Sequence, residues 1–214
     1  VVYYFHQVDD PYSFIMAQQL TRFANIASVP IKPFLVSDPA APFKGDATRF
    51  DAWAIAAAAN IAPFLGETVP VAAGAESPMP PGDSQREAVE AALSPLLDAD
   101  LSTFTAQAHR VGLALWQHDA MTMPNHQDRA HAATCIAAGD TLRESLGHFQ
   151  GGTLYFDGEW YWGVDRLPLL LARLIEEGHS QASVDDFDIY ATGSVKPLTV
   201  NGAVNRNITL EYFP

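Results

Sequence analysis

A short polar run near the N-terminus holds the residues best suited to chemistry, among them Asp9 and Asp10. It follows an apolar, β-branched and aromatic segment at residues 1–6 that predicts a buried strand. Asp10 followed by Pro11 predicts a helix N-cap with proline at the first helical position. We expect the cap bonds and the helix dipole to keep the Asp10 carboxylate ionised, which suits cation binding or electrostatics rather than proton donation. A role as a cap alone is the competing interpretation.

Tyr12, Ser13 and His6 surround the same position. Tyr12 can donate a hydrogen bond at neutral pH, which an ionised carboxylate cannot do, so Tyr12 is the best candidate donor, with packing as the alternative. Ser13 has no evident partner base, and a surface or capping role competes with that of a nucleophile. His6 ends the first strand, where it is placed either to face the cleft or to serve the structure.

Composition excludes several classes of protein. The chain has 214 residues, 48% of them hydrophobic and 17% charged, with a formal charge of −13. Such a chain fills a core as one large domain or a domain with an insertion. The acidic balance opposes binding to nucleic acids. Because neither a membrane-length apolar stretch nor a signal peptide is evident, we expect no membrane partner and a cytoplasmic location.

The lone cysteine and the histidines favour neither redox nor metal chemistry. Cys135 rules out an internal disulfide and a CxxC pair, and its apolar helical surroundings predict a buried thiol. His118, His126 and His131 show no usual metal-ligand spacing, so we expect no metal site.

The order of elements predicts an α/β fold. A strand, a helix and a proline-broken edge strand open the chain, and a further helix follows the first hairpin at 166–177, capped by Asp165. Between them lies a helical insertion at about 50–147. Helices are predicted at 50–64, 85–97, 101–117 and 127–146, and hairpins at 153–162 and 194–213.

Two segments, 4–14 and 151–167, carry a specific resemblance. The first reads YFHQVDDPYSF and the second reads GGTLYFDGEWYWGVDRL. Together they resemble the DsbA-like branch of the thioredoxin fold, closest to the 2-hydroxychromene-2-carboxylate isomerases and the kappa-class glutathione transferases. In that branch a strand leads into S-P-Y-S, and a G-V-P-T-F-V-x-D-G hairpin precedes W-G-x-D-R-L. The resemblance spans about residues 2–178 and implies one thioredoxin-like domain over 1–214, with the helical insertion and an added C-terminal hairpin.

The resemblance also implies a function. It is the glutathione-assisted isomerisation or transfer of a small aromatic or electrophilic substrate, without redox cysteines, in a protein that often pairs as a homodimer. Asp10, Tyr12 and Ser13 would line the chemistry, and Lys44, Gly152, Thr153 and Asp165 would line the glutathione pocket.

Two departures from the family pattern favour an alternative, a catalytically degenerate binding or scaffolding domain. Asp10 stands where the family has the serine that donates to the glutathione thiolate. Two negative charges ~4 Å apart repel by about 1–4 kcal/mol, and a helix N-terminus offsets only about 0.3–1 kcal/mol of that. Gly151 and Gly152 replace Val and cis-Pro, and we expect a trans bond because cis costs about 2.5–4 kcal/mol without proline.

Both ends of the sequence have the β-branched and aromatic composition of a strand. This raises the hypothesis that the chain is one unit of a longer or tandem protein.

Overall fold

The core of the fold is a four-stranded mixed sheet. The computed structural model describes residues 1–66, 69 and 82–187. Its strands are β1 (Val2–His6), β2 (Ile31–Leu35), β3 (Thr153–Phe156) and β4 (Glu159–Trp162). They lie in the order β2-β1-β3-β4, with β1 and β2 parallel and the other two pairings antiparallel. The edge position predicted for the proline-containing strand is confirmed, since a strand carrying Pro33 is best tolerated at an edge.

Helices fill the rest of the described chain, and most begin and end within a few residues of the predicted bounds. α3 begins earlier than predicted because Asp46 caps it, its Oδ1 accepting from Arg49 N at 3.1 Å. The helices are α1 (Pro11–Ala27), α2 (Ala41–Lys44), α3 (Ala47–Ile61), α4 (Asp83–Leu93), α5 (Leu101–Trp116), α6 (His126–Ser145) and α7 (Leu167–Glu176). Short 3-10 turns occupy 62–65, 94–96, 164–166 and 184–187.

The β1-α1-β2 unit positions the N-terminus of α1. α1 buries one apolar face, including Phe14, Ile15, Leu20 and Phe23, against the sheet and α5. Because α1 connects two parallel strands, it begins at the edge where both strands end. The residues that start α1 therefore share that edge with the loop that follows β2.

The helices α2 to α6 all fall between β2 and β3, and α6 is held unusually close to the sheet. A Cβ added at Gly139 would lie 2.0 Å from the Leu35 carbonyl oxygen. The α6 side chains Asp140 and Arg143 also bind the chain just after β2: Asp140 Oδ1 accepts from Ser37 N at 2.9 Å, and Arg143 Nη1 donates to Ser37 O at 3.2 Å.

The hairpin of β3 and β4 confirms the Asp-Gly turn prediction. Asp157 and Gly158 have φ of 42° and 89°, as the favoured two-residue turn requires. The second predicted hairpin, at 194–213, lies outside the described residues.

Two local predictions are wrong. Asp165 does not cap the last long helix: it lies in the 164–166 turn, contacts Arg166 Nε at 3.5 Å, and α7 begins after it. Cys135 is only half-buried because α6 buries few side chains, and its Sγ lies 3.7 Å from His131 Nε2.

Among the described residues, no helix combines the length and apolar character needed to cross a membrane.

Candidate functional site

A cavity of about 230 Å³ opens beside the N-terminus of α1. The loops after β1 and β2, the helices α2 to α4 and the end of α5 form its wall. Its charged lining residues are Asp9, Asp10, Asp38, Lys44, Asp51, Asp83 and Arg86.

Asp10 caps α1 as predicted and lies in the wall of this cavity. Its Oδ1 accepts from Tyr12 N at 3.2 Å, and its Oδ2 accepts from Ser13 N and Ser13 Oγ, both at 2.8 Å. Burial raises the pKa of Asp10 from 3.8 to about 6, although the bonds from Ser13 and Tyr12 act in the opposite direction. Desolvation thus outweighs the cap, so this carboxyl titrates much closer to neutral pH than expected, although a pKa of about 6 still leaves it mainly ionised at pH 7.

Ser13 and Tyr12 take different positions around Asp10. Ser13 is fully buried, where its Oγ donates to Asp10 and accepts from Gln7 N at 3.1 Å. Of the surface or capping role expected for Ser13, the surface position is therefore wrong and the role at the helix cap is confirmed. Tyr12 is half-buried, with its ring centroid 6.4 Å from that of the exposed Trp162. Burial, followed by the charges of Asp10 and Asp165, raises the Tyr12 pKa. Tyr12 stays a protonated donor at neutral pH.

The raised Asp10 pKa predicts a stability difference with a definite sign. Folding favours the protonated carboxyl. Below pH 3.8 Asp10 is protonated in both the folded and the unfolded chain, so it carries no penalty. As pH rises from 3.8 to about 6, ionisation becomes easier in the unfolded chain, which destabilises the fold. The full effect is at most about 3 kcal/mol. Asp10→Asn retains an acceptor oxygen but does not ionise. We expect wild-type stability, relative to this variant, to fall as pH rises through that window in urea titrations.

The matched control is Asp100, the N-cap of α5. Side-chain bonds from Ser102 and Thr103 lower its pKa to about 2, so its stabilisation is present above pH 3.8 and lost as pH falls towards 2. Asp100→Asn should therefore give a constant difference from about pH 4 to about pH 7. A constant difference for Asp10→Asn as well would contradict the Asp10 assignment.

Gly152 lies directly against Asp10. Its φ is 61°, and a Cβ added there would lie 2.7 Å from Asp10 Oδ2 and 3.1 Å from Ser13 N. Its N–H donates to Phe5 O at 2.9 Å, and its carbonyl accepts from Gly163 N at 3.1 Å. The predicted trans geometry is confirmed, since no cis peptide bond occurs in the described part of the chain. The missing side chain leaves room for the carboxylate.

The other predicted pocket residues do not form one group. Lys44 lines the cavity, where its Nζ contacts Asp38 Oδ1 at 2.7 Å and Asp51 Oδ1 at 3.0 Å. Thr153 is fully buried on β3, outside the cavity lining, and its Oγ1 has no hydrogen-bond partner among the described residues. Asp165 is near enough to Tyr12 to raise its pKa, but it does not line the cavity. The structure thus gathers Asp10, Tyr12, Ser13 and Gly152 at the start of α1. Of the predicted site residues, only Asp10 and Lys44 line the cavity.

Sequence reasoning missed the second charged group in the cavity wall. Arg86 on α4 donates from Nη1 to Asp9 Oδ2 at 2.8 Å and also contacts Asp83. No local sequence pattern indicates this contact, because Arg86 and Asp9 are 77 positions apart.

Of the two roles expected for His6, the structure shows the structural one. His6 is buried with Nδ1 at 2.8 Å from Tyr4 Oη, and burial lowers its pKa to about 4.

Comparisons with known proteins bear on the fold. No family model matches the chain, and no curated protein matches it. A solved structure of 2-hydroxychromene-2-carboxylate isomerase is similar, with a TM-score of 0.56 and 14% identity over 85% of this chain and 99% of that one. The mixed sheet with its surrounding helices is therefore a thioredoxin-like fold. The arrangement of its strands and helices is similar to that of the isomerase.

Proposed function

We propose that this chain is a small-molecule isomerase or transferase in which the Asp10 carboxyl moves the proton. The observation that carries the proposal is a helix-capping carboxyl in a cavity wall with a pKa of about 6. A group with a pKa near the working pH serves as both base and acid. The carboxylate takes a proton from one substrate atom and, once neutral, returns it to another.

The hydrogen bonds of Asp10 favour one atom for this transfer. Oδ2 accepts two bonds from Ser13, whereas Oδ1 accepts one bond from Tyr12 N. An ionised carboxylate offers about four acceptor positions, so Oδ1 retains the capacity to take a proton. Buried Ser13 then acts as a positioning residue, and Tyr12 is the neighbouring donor.

Reduced glutathione is the proposed thiol co-substrate, on the strength of the family resemblance. With a raised pKa, Asp10 is suited to take the thiol proton and then to donate a hydrogen bond to the thiolate, in place of the family's serine. For an α,β-unsaturated substrate, the thiolate sulfur bonds to the β-carbon as the C=C π bond breaks and its electron pair moves onto the conjugated carbonyl system. Asp10 then returns the proton to the α-carbon or the carbonyl oxygen. A thiol pKa of about 8.5 makes the first transfer uphill by about 3 kcal/mol, which a reaction step can absorb.

Calorimetry and an Asp10→Ser variant test this part of the proposal. We expect binding heat with reduced glutathione, and in Asp10→Ser a lowered pKa of the bound thiol, read from thiolate absorbance. The control is Asp100→Ser, the same substitution at an exposed N-cap. If neither the wild type nor Asp10→Ser gives heat or a thermal shift at millimolar glutathione, the glutathione assignment is wrong.

A second candidate is a catalytically silent binding domain. The pairing of Lys44 with two carboxylates favours it, because a lysine so engaged is less available to a carboxylate of a bound tripeptide. Asp10→Asn separates the two candidates. An enzyme loses turnover with ligand affinity largely kept, whereas a binding domain shows no turnover to lose.

A further inference from the structure

The side chain of Gln7 joins the loops that follow β1 and β2. Its Nε2 donates to Asp9 Oδ1 at 2.9 Å and to Asp38 Oδ1 at 3.1 Å. An amide NH2 group has two protons, so each of these carboxylates receives one of them. Gln7 is buried and belongs to the cavity lining. One side chain thus holds together two segments of the wall that are distant in the sequence.

The backbone of Gln7 is bound to the start of α1 in two ways. Its carbonyl accepts from Asp10 N at 3.3 Å, and its N–H donates to Ser13 Oγ at 3.1 Å. A serine hydroxyl has a single proton to donate. Because the Ser13 hydroxyl accepts from Gln7 N, its own proton goes to Asp10 Oδ2, at 2.8 Å. The place of Gln7 therefore decides how the Ser13 hydroxyl points at Asp10.

Gly151 makes room for Gln7 and is an independent sign that this side chain matters. A Cβ added at Gly151 would lie 2.4 Å from Gln7 Cβ and 3.0 Å from Gln7 Oε1. Any larger residue, such as the valine of the family that the sequence resembles, would displace Gln7. Gly152 makes room for Asp10 in the same way. The two consecutive glycines thus accommodate the two side chains Gln7 and Asp10.

The two carboxylates that Gln7 bridges are also held from their other sides. Asp9 Oδ2 accepts from Arg86 Nη1 at 2.8 Å, and Asp38 Oδ1 contacts Lys44 Nζ at 2.7 Å. A continuous series of contacts therefore crosses the cavity wall, with the Gln7 amide at its centre. Removing that amide would leave two like charges facing each other without the donor between them.

We propose that Gln7 is a positioning residue for the Asp10 carboxyl. Its amide bridges the two neighbouring carboxylates and fixes the loop at 7–10, and that loop orients the Asp10 side chain and the Ser13 hydroxyl. Gln7 neither takes nor returns the transferred proton. The proposal deepens the proposed function, on which it rests, by assigning the group that holds the acting carboxyl in place.

Gln7→Met tests the amide bridge, because it keeps the length of the side chain and removes both donors. The assay adds reduced glutathione to benzylideneacetone, an aromatic α,β-unsaturated ketone, and follows the loss of enone absorbance. We expect kcat to fall at least about tenfold with KM changed less than about threefold, since a misplaced acid–base group slows the reaction more than it weakens binding. A folded Gln7→Met variant with the wild-type kcat would overturn the proposal.

A compensating pair of substitutions separates positioning from general damage. Gln7→Glu places a carboxylate where the bridging donor stood and should lower kcat at least as much as Gln7→Met. Adding Asp38→Asn supplies a donor from the opposite side, and we expect it to recover at least about fivefold of the lost kcat. The control is Gln18→Glu, the same change at an amide that donates to Phe14 O outside the cavity lining, which should keep kcat. No recovery in the folded double variant would contradict the bridge.

Hydrogen exchange at the Ser13 amide tests the positioning without turnover. This N–H donates to Asp10 Oδ2 at 2.8 Å, so its exchange reports on the contact that Gln7 is proposed to hold. In Gln7→Met it should exchange at least about tenfold faster, while the Leu20 amide in the middle of α1 stays unchanged. Faster Ser13 exchange in a protein without turnover contradicts only the proposed function. Turnover combined with unchanged Ser13 exchange contradicts only this inference.

Discussion

Gly152→Pro, which inserts the proline present at this position in the family that the sequence resembles, is expected to destabilise this protein by about 4 kcal/mol or more. Proline holds φ at about −65°, whereas Gly152 has a φ of 61°. The substitution also removes the N–H that donates to Phe5 O and places a Cβ 2.7 Å from Asp10 Oδ2. The measurement is the free energy of unfolding from urea titration.

Two alanine variants separate the causes of that loss. Gly158 has a φ of 89° and no atom within 4 Å of an added Cβ, so Gly158→Ala should show only the backbone strain, about 1–2 kcal/mol. Gly152→Ala adds the contact with Asp10 and should cost more. Combining it with Asp10→Ser should recover part of the difference. Equal losses for the two single variants would show that Gly152 is not pressed against Asp10.

Gly139→Ala is the second large effect, with an expected loss of about 2–3 kcal/mol. The added Cβ would lie 2.0 Å from the Leu35 carbonyl oxygen and 3.1 Å from its carbonyl carbon. Backbone cannot rotate away as a side chain can, so α6 must shift from the end of β2. The intrinsic preference of a helix for alanine returns only about 1 kcal/mol. Thermal and urea unfolding measure the change.

Gly112→Ala on α5 is the matched control for this prediction. Its added Cβ would meet the buried Phe14 ring at 2.7 Å, and a ring can shift further than a backbone carbonyl. We expect a smaller loss, about 0–2 kcal/mol, since overpacking a core costs about 1–3 kcal/mol and the helix preference for alanine offsets about 1 kcal/mol of that. If Gly139→Ala proves as mild as Gly112→Ala, α6 is not locked to β2 by that close approach.

The α6 contact also bears on the site. Asp140 and Arg143 bind the backbone of Ser37, the residue before Asp38, and Asp38 in turn contacts Lys44 in the cavity wall. A shift of α6 therefore moves a cavity carboxylate.

The two departures from the family pattern form one contact in the folded protein. Asp10 replaces a serine and Gly152 replaces a proline, at positions more than a hundred residues apart. Because Gly152 has no Cβ, Asp10 Oδ2 can lie directly against its backbone. Each departure taken alone suggests a lost function, whereas their direct contact supports the proposal of a site built around the Asp10 carboxyl.

Local features were predictable because neighbouring residues settle them. The Asp10 cap, the Asp157-Gly158 turn and the edge position of β2 each follow from a few adjacent residues and their backbone preferences. The Asp165 cap failed on the same scale, because the 3-10 turn at 164–166 takes its place before α7 begins.

The sequence by itself determined the order of elements, the helix start at Asp10 and the type of fold, since periodicity, capping and turn chemistry are local. Only the tertiary structure decided the chemistry of the site. The pKa of Asp10 depends on how much water the surrounding elements exclude, and the Arg86–Asp9 pair depends on how α4 packs on α5, which in turn packs on α1. Desolvation and long-range pairing are properties of the packed molecule, and no short stretch of sequence contains them.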